Sequence, residues 1–484
     1  MIIGGIDVGT TGCKLTAYNT CGELICQAYR TYEVSRNFGE HEIDAGIIFK
    51  AVCEIISEIS SKCSLDALGI TTFGETFVLL DEDDNPLFGS MLYTDPRGDK
   101  ECEYLSKTLG EEKIMHITGT KPQNMYSLPK IMWIKNNCPE IFAKAKRILL
   151  MEDYIIYKLT GCAKIDYSLA ARTMAFDIRK KCWSDEILNC AGVDKNLLSN
   201  PVEYFKGISD LKPSLCKKLG LKQGVKVING AHDQVASAVG AGVLEVGGAV
   251  DGTGTVECVT PVFDHIPESK KLYDEGYCVV PYVSPGTYVC YALSFTGGAV
   301  IKWYKDNFAK ESSYTELDSS APARPTGLLV MPHFAGAANP YMDSGSKAVI
   351  SGLTLETKPS DLYKALMEGV TYEIMVNIEH LETFGVEFST LFATGGGASS
   401  PIWMQIKADI LNRPVTSLTA KEVGACGTCM IAGVALGEFA DLNEAKKVFV
   451  KPGKTYYPNC DNSKIYKEYY EKYKKLYDSV RPVI

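Results

Sequence analysis

A pattern of strand, glycine-rich turn and strand occurs twice in this chain, about half the chain length apart, and it constrains the fold more than any other feature. The first copy is a strand over residues 2–7, a turn of Gly and Thr, and a strand over 14–18. The second is a strand over 246–251, the turn 252–255 and a strand over 256–259. A duplicated unit predicts two lobes of common ancestry, each with a backbone-rich loop at the same relative place. We therefore expect the two loops to bind one phosphate chain from both sides.

The chain length supports two lobes. At 484 residues, and with about 100 to 200 residues per domain, the sequence predicts at least two cores and a cleft between them. A Gly/Ala-rich helix ends at residues 240–242, just before the second copy of the pattern. We therefore expect one lobe over residues 1–242 and the other over 243–484.

Composition excludes several classes of partner. The formal net charge is −9 and the isoelectric point is near 5.4, which argues against nucleic acid, because phosphate backbones are bound by clustered Lys and Arg. No apolar run reaches the roughly 18 residues of a membrane span, and the first residues lack the charged flank of a secretory signal. We therefore expect a cytoplasmic protein that binds small molecules, without nucleic-acid or membrane partners, and we allow for a homodimer.

The 17 cysteines follow no disulfide framework, which predicts reduced thiols used as small apolar side chains. One pair, Cys426 and Cys429, has the spacing of a redox or metal motif. No second pair of that spacing accompanies it in the sequence, and the segment around it is rich in Ala and Gly. A tightly packed helix is therefore the expected structure there.

Several later segments bear on phosphate binding. A strand over 390–393 leads into the glycine triplet 395–397, and a helical pattern begins at Pro401. The glycines thus lie where a strand meets a helix N-terminus, a place suited to phosphate. A long helix is predicted over 359–384. The Gly-Lys-Thr run at 453–455 lacks the leading glycine of a P-loop and is predicted to be a surface turn.

The turn after the first strand reads Asp7-Val-Gly-Thr-Thr-Gly-Cys-Lys14. Its backbone N–H groups and hydroxyls suit phosphate oxygens, its carboxylate suits a hydrated Mg²⁺, and its lysine adds positive charge. A Gly-Thr turn between strands is also a common hairpin, so this segment alone leaves both interpretations open. The counterpart at Gly252-Thr253-Gly254 and the triplet at 395–397 favour a nucleotide site of the two-lobed kind.

An acid and an amide, Asp233 and Gln234, follow an apolar strand over 225–228 and begin a Gly/Ala-rich helix. Phosphoryl transfer needs a carboxylate that orients the attacking hydroxyl and accepts its proton, and Asp233 suits that task with an ordinary pKa. The alternative is that Asp233 only caps its helix. His232 is predicted to be a packed residue, since phosphoryl transfer does not require an imidazole base.

Two further segments place polar groups directly after apolar strands, where α/β sheets present ligand contacts. One contains Glu75, and the other contains Tyr93, Asp95 and Arg97. An ion pair between Asp95 and Arg97 is the structural alternative, and we favour it for Arg97.

Taken in order, these motifs resemble those of the FGGY carbohydrate kinases, a family that includes glycerol kinases, xylulokinases, ribulokinases and gluconate kinases. The resemblance covers nearly the whole chain, and the ordered set is specific although each member is weak alone. Its members are Asp7-Val-Gly-Thr-Thr-Gly, Tyr93-Thr-Asp-Pro-Arg97 as a variant of the family's Trp-x-Asp-x-Arg, Asp233-Gln234, Gly252-Thr-Gly, Gly298-Ala-Val-Ile-Lys-Trp303 and Gly395-Gly-Gly-Ala-Ser-Ser-Pro-Ile-Trp-Met-Gln-Ile406.

The resemblance implies an α/β fold of two actin-like, ribonuclease H-like lobes with a central cleft. The N-terminal lobe would bind the sugar and carry the catalytic base, and the C-terminal lobe would bind the nucleotide. ATP and Mg²⁺ are the implied cofactors, and the phosphoryl acceptor is an alcohol group of a small sugar.

Position by position, the resemblance also implies roles. Asp233 would be the catalytic base, and Asp7 and Asp233 would bind Mg²⁺ through water. The implied substrate contacts are Glu75, Tyr93, Tyr126, Asp233 and Gln234. The implied ATP contacts are Gly9, Thr10, Thr11, Lys14, Thr253, Gly298, Gly396, Gly397 and Ser400.

The sequence departs from the family pattern around the sugar. Gly74 stands where glycerol kinases have an arginine, so we expect one donor fewer and more room, and Tyr93 replaces the family's usual Trp. The added room makes a pentulose such as xylulose the first prediction and a polyol, glycerol or a tetritol, the second. A nucleotide-driven sensor is a third, since the same architecture serves such proteins. Glu75 opposite Asp233 and Gln234 favours a small-molecule acceptor and hence a kinase.

Overall fold

The computed structural model describes residues 1–37, 39–420 and 422–483, and the chain divides into two compact units. Unit 1 comprises Met1–Leu244, Val279–Tyr288 and Glu422–Val450, and unit 2 comprises Glu245–Cys278, Val289–Lys421 and Lys451–Ile484. A single boundary after residue 242 does not describe this division. Two segments from the second half of the sequence belong to unit 1, because one of them forms a helix that covers the unit 1 sheet.

The strands are β1 (Ile2–Val8), β2 (Gly12–Asn19), β3 (Leu24–Thr31), β4 (Ser35–Asn37), β5 (Glu40–Ile43), β6 (Ala67–Thr72), β7 (Phe77–Leu80), β8 (Ser90–Met91), β9 (Arg147–Leu150), β10 (Lys164–Asp166), β11 (Phe176–Asp177), β12 (Cys182–Trp183), β13 (Asn200–Val202), β14 (Ile208–Asp210), β15 (Lys226–His232), β16 (Gly248–Thr253), β17 (Glu257–Phe263), β18 (Val280–Pro281), β19 (Tyr288–Val289), β20 (Ala292–Ser294), β21 (Leu329–Met331), β22 (Val349–Ser351), β23 (Thr390–Thr394), β24 (Val415–Leu418) and β25 (Pro452–Tyr456).

The α-helices are α1 (Ala45–Ser60), α2 (Asp99–Leu109), α3 (Glu111–Thr118), α4 (Ser127–Asn137), α5 (Pro139–Phe142), α6 (Met151–Thr160), α7 (Tyr167–Ala171), α8 (Asp185–Ala191), α9 (Pro213–Leu219), α10 (Asp233–Gly240), α11 (Lys270–Asp274), α12 (Gly298–Phe308), α13 (Tyr314–Ser320), α14 (Pro359–Thr383), α15 (Pro401–Leu411), α16 (Val423–Ala435), α17 (Leu442–Phe449), α18 (Cys460–Tyr473) and α19 (Leu476–Val480). Short 3₁₀ helices lie at Lys195–Leu197, Gly397–Ser399 and Arg481–Val483.

The main sheet of unit 1 has the strand order β14-β15-β6-β1-β2-β3. Its central strands β15, β6 and β1 are parallel, and β14, β2 and β3 each run antiparallel to their neighbour. Helix α1 packs against β2 and β3. Its apolar residues recur at helical spacing and are buried, which places one stripe of the helix in the core; they are Ile48, Val52, Ile55, Ile56 and Ile59.

The sheet of unit 2 repeats this arrangement. Strands β16, β23 and β24 are parallel neighbours, β17 runs antiparallel to β16, β20 follows on β17, and β25 is an antiparallel edge on β24. Each unit therefore has an antiparallel hairpin beside a parallel core with an antiparallel edge strand. The duplication predicted from the sequence is confirmed, with the hairpin β1–β2 matching β16–β17.

Helix α16 lies on the three central strands of unit 1, at a place where each strand carries a glycine. A Cβ added at Gly5 of β1 would lie 2.3 Å from the Ala425 carbonyl oxygen. At Gly69 of β6 and Gly230 of β15, an added Cβ would lie 2.6 and 3.0 Å from Thr428 Cγ2. Glycine on the strands therefore lets the helix approach the sheet this closely.

The pair Cys426 and Cys429 is buried within α16. The Cys429 thiol points at the Ile3 carbonyl oxygen of β1, with 3.6 Å between the sulfur and oxygen atoms. The prediction of a tightly packed helix for this segment is confirmed.

The long helix predicted over 359–384 is confirmed by α14, and β23 leads through the glycine triplet into α15 as expected. The prediction of a surface turn at 453–455 is wrong. These residues lie inside the edge strand β25, where Thr455 pairs with Thr416 of β24. Strand β24 pairs with these residues through backbone hydrogen bonds, and this pairing cannot be recognised from the local sequence Gly-Lys-Thr. Within the described part of the chain, no helix has the length and apolar character needed to cross a membrane.

The crossing of α10 and α16 yields a prediction for Gly427→Ala. A Cβ at Gly427 would lie 1.9 Å from the Ala236 carbonyl oxygen and 2.6 Å from Gly240 N. Backbone atoms cannot turn away as a flexible side chain does, so the substitution should destabilise the protein by about 1–3 kcal/mol. Thermal unfolding should show a midpoint several degrees lower.

The matched control is Gly46→Ala in the exposed first turn of α1. Its Cβ would meet only the Asp44 carboxylate, at 3.0 Å. Since alanine is the better helix former, the midpoint of this variant should stay constant or rise. Equal midpoints for Gly427→Ala and the wild type would contradict the close helix crossing.

Three buried carboxyl groups lie near β15 in unit 1: Glu152 and Asp153 of α6, and Asp166 at the end of β10. Glu152 accepts hydrogen bonds from the Gly230 N–H (3.0 Å) and from Asn229 Nδ2 (2.9 Å), where β15 has a bulge. Burial, helped by the neighbouring Asp166, raises the pKa of Glu152 well above its usual range. Glu152 therefore keeps its proton at pH values where the unfolded chain has lost it.

This proton retention predicts how Glu152→Gln changes stability with pH. The folded state binds a proton that the unfolded chain releases above about pH 4.3, so the stability contributed by Glu152 falls as the pH rises. Glutamine removes the ionisation and keeps an acceptor for the Gly230 N–H. The thermal midpoint of the variant relative to the wild type should therefore rise steadily between about pH 5 and about pH 8. Glu140→Gln, on the surface of α5, is the control and should show no trend; a pH-independent difference for Glu152→Gln would mean that the buried group is ionised.

Candidate functional site

Three carboxylates stand at the carboxyl ends of the three parallel strands of unit 1. Asp7 lies near the end of β1, Glu75 follows β6, and Asp233 directly follows β15. The strand register brings these ends together, because Asp7 and Ala231 each pair with Thr71 of β6. In α/β sheets, ligands bind at the carboxyl ends of parallel strands. This edge is therefore the candidate site of unit 1.

Asp233 is the first residue of α10, and the helix N-cap is His232. The alternative in which Asp233 only caps its helix is thus wrong. Burial, together with the charges of Asp7 and Glu75, raises the pKa of Asp233 to about 7, although Arg172 acts in the opposite direction. The expectation of an ordinary pKa is also wrong, because Asp7 and Glu75 place negative charge near this partly buried carboxylate.

His232 lies beside Asp233, with 3.3 Å between its Nε2 and Oδ1 of the carboxylate. Burial, and then the charge of Arg172, lower the pKa of His232 well below its usual range, so the imidazole is neutral at physiological pH. The backbone N–H of His232 donates to Ser168 Oγ at 2.9 Å. His232 is a packed residue, as predicted.

Asp7 is enclosed by the start of α16. A Cβ at Gly424 would lie 3.1 Å from Asp7 Oδ2. Burial and the charge of Glu422 raise the pKa of Asp7 to about 6, while Lys14 lowers it. The Lys14 ammonium contacts both Glu422 carboxylate oxygens, at 2.7 and 2.8 Å. Contact between Lys14 and a nucleotide phosphate stays a prediction. It requires the Lys14 ammonium to bind the phosphate and the Glu422 carboxylate together.

The residues Asp7 and Asp233 suit a hydrated cation. Asp233 Oδ1 is buried and accepts no hydrogen bond from any described residue, and Asp7 is close enough to raise the pKa of Asp233. A divalent cation would relieve that repulsion, and Mg²⁺ commonly keeps several waters and takes one or two carboxylates. In the described ranges, no group of three or more His, Cys, Asp or Glu side chains could hold a metal directly. Binding through water is the arrangement that these two carboxylates could provide.

Glu75 is fixed at both its backbone and its side chain. Its φ of 62° is a left-handed conformation, which costs a non-glycine residue about 1–3 kcal/mol and persists where the surroundings impose it. Its carbonyl oxygen accepts a hydrogen bond from Ser127 Oγ at 2.6 Å, and its Oε1 accepts one from Arg172 Nε at 2.6 Å. The carboxylate therefore has a defined position at the end of β6.

Arg172 is a site residue that the sequence motifs did not indicate. It is 5% exposed and lies over the ring of Tyr126, 5.1 Å from the ring centre. A Cβ at Gly74 would lie 3.0 Å from Arg172 Cγ and 3.1 Å from the His232 imidazole. The expectation of added room at Gly74 is wrong, because an arginine from a distant segment fills that space. The available signal was a lone arginine within the apolar stretch 169–176, since a buried cation needs a partner.

Arg97 forms the structural pair that was favoured for it. Its guanidinium contacts Asp95 at 2.7 Å and Glu42 at 2.6 Å, and it lies 5.1 Å from the centre of the Trp133 ring. Tyr93, four residues earlier, is 44% exposed. Burial and the charges of the nearby site carboxylates raise the pKa of Tyr93, which puts its hydroxyl in their neighbourhood.

The predicted substrate contacts thus fall in one region of unit 1. Tyr126 is linked to Glu75 through Arg172, and Tyr93 is near both Glu75 and Asp233. Gln234 follows Asp233 in the first turn of α10 and is partly buried. Their contact with a sugar stays a prediction.

Unit 2 contains a cavity of about 870 Å³, a volume typical of small-ligand sites. Predicted nucleotide contacts that line it are Thr253, Gly298, Gly396, Gly397 and Ser400. Its larger apolar side chains are Ile301, Trp303, Tyr363, Met367 and Trp403. The remaining predicted contacts belong to unit 1 and do not line this cavity; they are Gly9, Thr10, Thr11 and Lys14.

The glycines around this cavity differ in the space beside them. A Cβ at Gly298 would lie 2.7 Å from the Gly254 carbonyl oxygen, and one at Gly397 would lie 2.3 Å from Thr253 Cγ2. A Cβ at Gly396 would meet no atom within 4 Å. Gly396 therefore presents bare backbone to the cavity.

Two charged residues near the cavity were not anticipated. Asp318 lines it and accepts a hydrogen bond from Ser400 Oγ at 2.7 Å. Lys407 is buried in α15 and donates to Thr253 Oγ1 at 2.6 Å, which fixes that hydroxyl. The Lys407 ammonium also pairs closely with Asp251 and Glu257. A lone lysine within the apolar pattern of α15 was the signal for this buried cluster.

Comparison with known proteins identifies the family to which this chain is similar. The model of the FGGY family of carbohydrate kinases, N-terminal domain, matches residues 2–240, and that of the C-terminal domain matches residues 260–436. A xylulose kinase of Bacillus subtilis is 28% identical over 98% of this chain and 96% of its own length. A glycerol kinase of Thermococcus kodakarensis is 29% identical over 97% of this chain and 96% of its own.

Among solved structures, a ligand-bound xylulose kinase from Lactobacillus acidophilus superposes with a TM-score of 0.91 at 25% identity, covering 100% of this chain and 99% of its own. The α/β fold is thus that of two actin-like, ribonuclease H-like lobes. The two family matches include all three site carboxylates and the glycine triplet 395–397 of the cavity. The chain therefore belongs to the FGGY family of carbohydrate kinases, phosphotransferases that act on an alcohol group.

Proposed function

We propose that this chain transfers the γ-phosphoryl group of ATP to a hydroxyl of xylulose or of a closely related pentulose. The observation that carries the proposal is the Asp233 carboxyl, which ends a parallel strand beside the Glu75–Arg172 pair and has its pKa raised to about 7. The choice of sugar is supported by relatives of nearly equal length that are named xylulose kinases.

Asp233 acts in this proposal as the base. Its carboxylate orients the acceptor hydroxyl and takes the proton as the new bond to phosphorus forms and the bond to ADP breaks. A pKa near the working pH suits that role, because the ionised form is present and is still basic enough to accept a proton. The pKa of His232 is held well below its usual range, so its imidazole is a weaker proton acceptor than the Asp233 carboxylate.

The acceptor is held by hydrogen bonds from the residues around Asp233. The Glu75 carboxylate accepts from sugar hydroxyls, and the Gln234 amide can both donate and accept. The Tyr93 hydroxyl, on a ring that is 44% exposed, and Tyr126 complete the contacts. Water is a poor competitor of the sugar as phosphoryl acceptor, since a single water molecule cannot form hydrogen bonds with all of these side chains.

ATP binds in the cavity of unit 2. The aromatic and aliphatic walls suit the nucleoside, and the bare backbone of Gly396 suits the phosphates, with Gly397 next to it. The loop of unit 1 with Gly9, Thr10, Thr11 and Lys14 provides further phosphate contacts. Mg²⁺ held by Asp7 and Asp233 through water would offset the negative charge of the phosphates.

A polyol such as glycerol is the second candidate acceptor, and two observations favour it. Arg172 fills the space beside Gly74, so the site is not enlarged there, and a glycerol kinase is among the relatives of similar length. A sensor without kinase activity has lost its support, because the chain belongs to a kinase family. We expect the enzyme to act in the cytoplasm with sugar and ATP as its partners.

A panel of acceptors in an ADP-release assay tests the proposal. Xylulose, ribulose, glycerol, erythritol and gluconate would each be supplied with ATP and Mg²⁺. Xylulose should give the highest kcat/KM. A highest value for glycerol or erythritol would favour the polyol alternative, and turnover of none of the five would refute the proposed substrate class.

Asp233→Asn should abolish most of the activity without loss of the fold. Asparagine keeps the shape of the side chain but cannot accept the hydroxyl proton, so kcat should fall by at least about 10²-fold. Affinity for ADP, measured by calorimetry, should hardly change, because the cavity lies in unit 2. Asp210→Asn, on the exposed edge strand β14, is the control and should keep the wild-type rate. A similar rate for Asp233→Asn would remove Asp233 from the proposed role.

Gly396→Ala separates nucleotide contact from structural damage. The backbone at Gly396 has φ −61° and ψ −40°, which alanine adopts readily, and the added methyl meets no protein atom, so the thermal midpoint should hold or rise slightly. If phosphates approach this backbone, the methyl blocks them, and the affinity for a non-hydrolysable ATP analogue should fall roughly 10-fold, which corresponds to about 1.4 kcal/mol. Unchanged affinity in calorimetry would place the nucleotide elsewhere in the cavity.

A further inference from the structure

A buried ion pair forms one wall of the proposed acceptor site. Glu75 follows β6, and Arg172 follows α7, which makes the two residues distant in sequence but adjacent in unit 1. The guanidinium uses Nε, at 2.6 Å, and a second nitrogen to bind the same carboxylate oxygen. Each side chain is only 6% exposed. Burial of this kind is tolerated because each charge offsets the other.

The neighbouring chain fixes this pair on several sides. The Tyr126 ring lies under the guanidinium, and Ser127 Oγ donates to the Glu75 carbonyl oxygen. The next residue, Leu128, donates its N–H at 3.0 Å to the carbonyl oxygen of Thr173, which follows Arg172. The start of α4 thus holds both partners, and Gly74 leaves the space that the arginine occupies.

We propose that the Glu75–Arg172 pair determines the class of acceptor, selecting an uncharged ketose or polyol over an aldonate of the same length. This inference rests on the proposed function. With Arg172 bound to Glu75, this wall of the site carries no net charge. Two further carboxylates, Asp7 and Asp233, stand at the same strand ends. The guanidinium that would best suit the carboxylate of an aldonate is therefore already bound to Glu75, and this wall offers that carboxylate no net positive charge.

Lys130 is a second cation near Glu75, and backbone carbonyl oxygens accept its hydrogen bonds. Its ammonium is buried in α4 and donates to the carbonyl oxygens of Asp95 (2.7 Å) and Asn124 (2.6 Å). Through these hydrogen bonds the Lys130 ammonium fixes two points of the backbone between β8 and α4. Arg172 is the cation whose contact is the Glu75 carboxylate itself.

Arg172 is also a positioning residue for Glu75. A carboxylate on a left-handed backbone has little freedom of its own, and the planar guanidinium sets the orientation of its oxygens. Lysine keeps the charge but cannot reproduce a contact through two nitrogens. Comparing Arg172→Lys with Arg172→Gln therefore separates the effect of the positive charge from the effect of the guanidinium on the orientation of the Glu75 carboxylate.

The first experiment changes the charge on the wall. For wild type and Glu75→Gln, kcat and KM are measured with xylulose and with xylonate, the aldonate of equal length. Glutamine releases Arg172 from its carboxylate partner, so the ratio of kcat/KM for xylonate to that for xylulose should rise at least about 10-fold, as expected when an ionic hydrogen bond becomes available. An unchanged ratio, with both substrates affected equally, would overturn the proposal.

The second experiment tests whether Arg172 acts through Glu75. Arg172→Gln should raise KM for xylulose roughly 10-fold or more and leave kcat less affected, because it removes an interaction that holds the acceptor in ground state and transition state alike. Arg172→Lys keeps the positive charge and should keep the wild-type xylulose-to-xylonate preference but not the wild-type KM, whereas Arg172→Gln should disfavour xylonate further. Arg413→Gln is the matched control, since Arg413 also joins an ion pair, with Glu382 at 3.1 Å, and an aromatic contact, 4.8 Å from the Phe388 ring.

Gly74→Ala supplies a variant that keeps both charges. Its methyl would collide with Arg172 Cγ and with the His232 ring, so it should raise KM for xylulose much as Arg172→Gln does. Since both substitutions act on the same contact between Arg172 and Glu75, their effects on KM should be less than additive in the double variant. Full additivity, or a loss of thermal stability in each variant with unchanged KM, would make Arg172 a structural residue alone. Failure of the proposed function is recognised in the wild type, because no phosphorylation of xylulose or of any polyol would overturn the proposed substrate class before the variants are compared.

Discussion

The contact between α16 and the glycines of β1, β6 and β15 sets the geometry on which unit 1 depends. Side chains at those three positions would hold the helix away from the sheet, because the added atoms would lie within 3.0 Å of its backbone or side chains. When α16 packs on the sheet, its first residues lie next to Asp7, near the carboxyl ends of the three strands. The site follows from this packing, since three neighbouring strands then present their next polar residues to one place.

Crowding of those carboxylates explains the electrostatics of the site. Burial and the charge of Glu422 raise the pKa of Asp7 to about 6, and burial with the charges of Asp7 and Glu75 raises that of Asp233 to about 7. Lys14 and Arg172 oppose these shifts, yet each is already held by another acid, Glu422 or Glu75. Lys14 and Arg172 thus lie near the site carboxylates, but each forms its ion pair with an acid other than Asp233. A basic carboxylate in a partly desolvated place is the consequence, and it agrees with the proposed proton transfer.

Local sequence patterns predicted the parts of the fold that are local in the chain. The duplicated hairpin, the helix over 359–384 and the glycine triplet before α15 were all recognised, because each depends on residues within a few positions of one another. The errors involve long-range contacts. Arg172 fills the space beside Gly74 from a segment that no motif connects to it, and α16 joins unit 1 from the far end of the sequence. The roles of the residues predicted to bind sugar and nucleotide stay predictions, and the partners of Lys14, Glu75 and Ser400 could be identified only from the structure.

The late position of α16 in the chain has a consequence for synthesis. The ribosome completes β1, β6 and β15 by residue 232, but the helix that covers their glycines begins at residue 423. At about 5 to 20 residues per second, roughly 10 to 40 seconds of translation separate the two. During that interval the nascent sheet has one uncovered apolar face, which makes this stage a natural point for chaperone binding. Unit 1 is therefore begun first but is complete only at Val450, and a gene fragment that stops at the middle of the chain does not encode the whole of unit 1.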